Sequence, residues 1–128
     1  MRFIPRFSLW MAAAGLTLAL DLTTKAEPHP LVVDHYSHTP ALALILVSVF
    51  LCALGIWHSN MLAVGAGLMF GGLCGNGGEL LVRGYATDWI PVGGWVTNVA
   101  DIAGLLGLLW CFAGYVLQLR MSDQRANL

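Results

Sequence analysis

With 128 residues, 58% of them hydrophobic and only 10% charged, the chain has too little polar surface to cover a water-facing exterior. Its net charge of −1 leaves no basic excess for nucleic acid, and its length leaves room for one domain, residues 1–128. A lipid bilayer is the solvent that suits such a chain.

A spanning helix needs about 20 mostly apolar residues. The first candidate runs from about Phe7 to Thr24 and carries Asp21 near one membrane face. Arg2 and Arg6 ahead of an apolar run would suit a cleaved signal peptide. The run ends in Asp21, however, and no small-x-small pattern precedes Lys25, so the segment is expected to remain. The second candidate covers residues 39–57, and His58, Ser59 and Asn60 form a tight turn after it. The third runs from Met61 to about Val82, and the fourth from about Val96 to Leu119. The expected fold is an all-α membrane protein of four transmembrane helices joined by short outer loops.

Orientation follows from the basic residues, which concentrate on the cytoplasmic side. Arg2, Arg6, Arg120 and Arg125 flank the outermost spans, so both termini are expected in the cytoplasm. Asp21, Glu27, Asp34, Glu79, Asp88 and Asp101 then all fall at or near the outer face. Asp21, Glu79 and Asp101 come from three different spans but share a depth. Ionisable groups at membrane depth are costly and usually face a bundle interior or a cavity, so a polar site below the outer surface is expected.

Within the third span Gly67, Gly71 and Gly75 recur every four residues, a spacing that lets helices approach closely in lipid. Asn76, Glu79 and Arg83 share another face, and Glu79 four residues before Arg83 suits a structural ion pair. Asp88 and Asp101 stand 13 positions apart, too far to meet on one helix. They can meet if the outer loop folds back between antiparallel spans. Two adjacent carboxylates share one proton, which suits activation of water against a carbonyl. The competing reading is local: Asn98 and Asp101 resemble a capping box, and Asp88 caps a turn before Pro91.

The first outer loop holds His29, Asp34, His35 and His38, which are metal-capable, but no second matching pair completes a zinc site. Cys52, Cys74 and Cys111 lie in apolar runs without paired spacing and read as small hydrophobes.

Taken together, four stretches resemble the lipoprotein signal peptidase family, signal peptidase II. Asp21-Leu22-Thr23-Thr24-Lys25 is similar to the D-Q-x-T-K that ends that family's first span. Gly71-Gly72-Leu73-Cys74-Gly75-Asn76 is similar to its G-G-x-x-G-N. Residues 75–90 align without gaps to its G-N-x-x-D-R-x-x-x-G-x-V-x-D-F-I, and Thr97-Asn98-Val99-Ala100-Asp101 resembles its F-N-x-A-D. The resemblance implies an intramembrane aspartic endopeptidase that removes signal peptides from diacylglyceryl-modified prolipoproteins. It implies catalytic Asp88 and Asp101, with Asp21, Lys25, Asn76 and Asn98 supporting them. It implies no cofactor and no metal, partners limited to prolipoprotein substrates and membrane lipid, a monomer, and a bacterial inner membrane with the active site near its outer face.

The chain departs from the family pattern at Glu79-Leu80, where the family has Asp-Arg, and at Leu22, where it has Gln. The N-x-G-x-A-F of span two appears as His38-Thr39-Pro40-Ala41-Leu42-Ala43, and the outer loop that forms a strand-rich cradle in the family is short. Arg83, one turn beyond Glu79, is the candidate to supply the lost charge, and Arg83→Leu is then expected to destabilise the fold or abolish activity. Two other classes compete with the enzyme: a non-catalytic relative that binds lipoproteins or a membrane partner, and a small metal-binding membrane protein using the loop histidines.

Overall fold

The computed structural model describes residues 3–35 and 59–126. Helix α1 covers Phe3–Ala26, strand β1 Val33–His35 and helix α2 Asn60–Arg83. Strands β2 (Ala86–Asp88), β3 (Ile90–Val92) and β4 (Trp95–Thr97) follow, and helix α3 (Val99–Ala126) closes the described chain. Three of these elements, over Ile4–Ala26, Asn60–Arg83 and Val99–Arg125, are long and apolar enough to cross a membrane. The expected span at 39–57 lies outside the described residues, as do His38 and His58.

Helix α2 is the central element, packed against α1 on one side and α3 on the other. Small residues make this possible. A Cβ on Gly67 would collide with the Trp10 carbonyl, and one on Gly71 with Ala14 and Thr17, all on α1. A Cβ on Gly72 would collide with the Ala100 carbonyl of α3. Backbone approaches backbone at these points, which is the small-residue packing that lets apolar helices associate through dispersion contacts. The buried apolar residues are correspondingly small: Ala14, Ala63, Ala66, Ala86, Ala100, Ala103 and Cys111. The large ones, among them Leu16, Leu105, Leu109 and Phe112, point outward. Cys74 and Cys111 are free thiols.

Helix α2 starts at Ser59, whose hydroxyl accepts the Leu62 N–H at 3.1 Å. It stops at Gly84, whose φ of 81° is left-handed and whose N–H returns to the Leu80 carbonyl at 2.9 Å. The chain then runs into strands, so the all-α expectation needs a correction. β1 pairs antiparallel with β2, matching Val33 with Asp88 and His35 with Ala86. β3 pairs with β4 across the two-residue turn Gly93-Gly94, both glycines at positive φ, as such hairpins require. This hairpin also moves the start of the last helix. Val96 and Thr97, expected within the fourth span, belong to β4, and α3 begins at Val99 behind the cap Asn98. At its other end α3 continues to Ala126, beyond the expected Leu119, because no helix breaker occurs among those residues.

Candidate active site

Five elements bring polar residues to one end of the three-helix unit. From the last turns of α1, Asp21 and Lys25 face α2. Asp21 is fully buried, and its Oδ1 accepts the Ala100 N–H at 3.0 Å. A carboxylate from the first helix thereby satisfies an orphan donor in the first turn of the last helix, where the helix dipole favours negative charge. Its Oδ2 lies 3.0 Å from Lys25 Nζ. Gly75 of α2 admits this carboxylate, since a Cβ there would overlap it.

Lys25 is the hub. Besides Asp21 it reaches Glu79 Oε2 at 3.0 Å and donates to Asn76 Oδ1 at 2.7 Å. With Oδ1 so occupied, Asn76 turns its Nδ2 to Asp101 Oδ1 at 2.8 Å. Asn98, also fully buried, donates to Asn76 Oδ1 at 2.9 Å and to Asp88 Oδ1 at 2.5 Å. Thr97 Oγ1 donates to Asp101 Oδ2 at 3.1 Å. The two aspartates are therefore joined by a chain of side-chain hydrogen bonds, Asp88 to Asn98 to Asn76 to Asp101. Asp88 is only 4% exposed, whereas Asp101 is exposed.

One half of the capping box holds at the same time, while the Asp101 carboxylate turns to Asn76 and Thr97 instead of back to the Asn98 N–H. Asn98 Oδ1 accepts the Asp101 N–H at 2.9 Å, the capping bond of α3. One amide thus caps the helix with its oxygen and holds Asp88 with its nitrogen. Asp88 closes β2, and its carboxylate accepts from Asn98 at the far end of the β3–β4 hairpin, in place of the expected cap on a turn before Pro91.

Glu79 pairs with Arg83 at 3.2 Å, but the Arg83 side chain is 59% exposed while that of Lys25 is 6% exposed. The buried cation beside Glu79 is therefore Lys25. Two further donors to Glu79 escaped the sequence reading: the Thr87 N–H at 2.9 Å and the Thr87 hydroxyl at 2.6 Å. The only sequence signal for Thr87 was its place next to Asp88.

Of the loop histidines, His29 puts Nε2 2.6 Å from the Thr24 carbonyl and stacks on Trp89 with ring centroids 3.8 Å apart. It is engaged there with a helix end and an aromatic ring. Below the aspartates, α2 and α3 leave a cleft of about 300 Å³. Asn76 and Asp101 form its polar head, and Met69, Leu73, Leu105 and Leu108 are among its apolar walls.

Compared with known proteins, the chain matches no family model and no curated sequence.

Proposed function

We propose that the chain is an intramembrane aspartic endopeptidase of the signal peptidase II type, which removes signal peptides from diacylglyceryl-modified prolipoproteins. The observation that carries this reading is the asparagine bridge between Asp88 and Asp101 at one end of three apolar helices. Buried polar groups of this kind are retained at a cost in lipid, and here they converge on two carboxylates instead of neutralising one another in isolated pairs.

In the proposed mechanism the two carboxylates act on one water and one scissile carbonyl held between them. One takes a proton from water as the water attacks the scissile carbonyl, and the other donates to that carbonyl's oxygen. Asn98 and Asn76 hold the carboxylates by amide N–H donors, so neither side chain needs to reorganise during the reaction. The apolar cleft beside Asp101 suits the lipid tails of the substrate entering sideways, with the scissile bond at the level of the polar head.

The remaining topology belongs to the same proposal. The apolar run at 39–57 is expected from the sequence to add a further span, making four. Both termini face the cytoplasm of a bacterial cell, and the site lies near the outer face of the inner membrane. The protein works as a monomer without metal or cofactor.

The test is cleavage of a diacylglyceryl-modified prolipoprotein by the purified protein in lipid, with Asp88→Asn and Asp101→Asn alongside. Loss of cleavage in both variants, with folding intact, supports the reading. Retained cleavage in either rules out a dyad. A folded wild type inactive on several substrates would point to a binding relative that kept the scaffold.

A further inference from the structure

Only residues 84–87 separate the end of α2 from Asp88, and they begin at the left-handed Gly84. A three-residue strand so placed has little of its own to fix it. β2 pairs with another three-residue strand, and isolated two-stranded ladders are marginal. Yet Thr87 and Asp88 are both buried, so their segment is held by something besides the ladder.

We propose that Glu79 is the positioning residue for Asp88, gripping Thr87 through both its N–H and its hydroxyl and thereby fixing the strand that presents the aspartate to Asn98. The proposal rests on the aspartic peptidase reading for its functional consequence, though the grip itself is independent of it.

The geometry is specific. Glu79 Oε2 accepts the Thr87 N–H at 2.9 Å and Oε1 accepts the Thr87 hydroxyl at 2.6 Å, so both carboxylate oxygens are committed to one residue. Lys25 at 3.0 Å and Arg83 at 3.2 Å supply opposing charge, one to each oxygen. An ionised carboxylate offers about four acceptor sites, and these four contacts use that capacity. On a strand, successive side chains point to opposite faces. Thr87 turns to Glu79 and Asp88 turns to Asn98, so holding the first fixes the backbone that presents the second. The Thr87 carbonyl is engaged as well, accepting from Asn98 Nδ2 at 3.3 Å. Thr87 is thereby tied to the same asparagine that holds Asp88.

Charge-assisted bonds of this kind are stronger than neutral ones, and a glutamine at position 79 would weaken the grip while keeping one acceptor. Valine at position 87 keeps the shape, removes the hydroxyl and leaves Lys25 paired. Serine at 87 restores the hydroxyl.

The experiment uses the full chain in lipid nanodiscs and reads two quantities for wild type, Glu79→Gln, Thr87→Val and Thr87→Ser. The first is hydrogen–deuterium exchange of the peptide covering residues 84–92. The second is kcat and KM on a diacylglyceryl-modified prolipoprotein. Exchange should rise about tenfold or more in Thr87→Val and Glu79→Gln, since protection follows local opening. The kcat should fall about tenfold with KM within about threefold, the pattern of a group misplaced in the transition state. Thr87→Ser should restore both.

Unchanged exchange in folded Thr87→Val overturns the grip, whatever the activity. Faster exchange with unchanged kcat and KM overturns the positioning role. A wild type that cleaves nothing defeats the peptidase reading, and the exchange result then still decides whether Glu79 fixes the strand. If Glu79→Gln fails to fold, Thr87→Val and its serine rescue carry the test alone.

Discussion

The stem of the molecule and its polar end are held together in opposite ways. In the stem, α2 meets its neighbours through absent side chains: Gly67 and Gly71 admit the α1 backbone, and Gly72 admits that of α3. At the polar end, α2 meets the same neighbours through present ones, with Asn76 and Glu79 bonded to Lys25 and Asp101. Gly75 marks the border, since its missing Cβ makes room for the Asp21 carboxylate. Close packing in the stem brings the helix ends near enough for short side chains such as Asp21 to cross from one helix to the next. The stem thus supplies proximity and the polar end converts it into a defined arrangement of carboxylates.

If that division is right, changes at the two ends should fail differently. The largest effect is expected at the aspartates. Asp88→Asn or Asp101→Asn should reduce cleavage about a thousandfold or more, the scale of lost acid–base catalysis, while the melting temperature in detergent stays near that of wild type. A melting temperature that collapses instead would make these carboxylates part of the scaffold. Lys25→Met comes next. It leaves two buried carboxylates without their shared cation and should cost about 3–5 kcal/mol, read as a large drop in thermal stability.

Stem changes should be milder and mechanical. Gly71→Ala forces a methyl against Ala14 and Thr17 and should cost about 1–3 kcal/mol. Its remaining folded fraction should keep a near-normal kcat, and a kcat that fell with stability unchanged would break the division. Arg83→Leu is expected to do least, within about 1 kcal/mol, because its pair with Glu79 is largely exposed. The motif comparison alone expects that same variant to destabilise the protein or abolish activity. Cleavage and melting of Arg83→Leu therefore decide whether Arg83 or Lys25 is the cation that Glu79 depends on.

Several features were legible before any coordinates. Long apolar runs mark the three helices, because burying a helical backbone in lipid demands uninterrupted apolar length. The glycine spacing in α2 announces a packing face. Asp21, Glu79 and Asp101 stood out because ionisable groups in apolar runs are costly enough to need a reason. Lys25, Asn76 and Asn98 entered as site candidates through the motifs that resemble signal peptidase II, and Asp88 through those motifs and as the carboxylate that Asp101 can meet across the outer loop. The strands were not legible: three-residue segments are too short to show alternation, and the Gly93-Gly94 dipeptide marks only the turn between two of them.

The sequence by itself determined the helices long and apolar enough to cross a membrane and the polar residues concentrated at one end. Tertiary structure decided the pairings between elements, while the Glu79–Arg83 pair and the Asn98 cap were already readable from spacing. Glu79 precedes Arg83 by one helical turn, and sequence spacing therefore favoured that pair. Lys25, distant in the chain, is the buried partner because α1 and α2 touch. Asn98 looked like a cap and is one, yet its second function toward Asp88 depends on where β2 lies. Local spacing reports contacts within one helix, whereas the bonds that assemble this site cross between elements, and only the close approach permitted by the glycines fixes them.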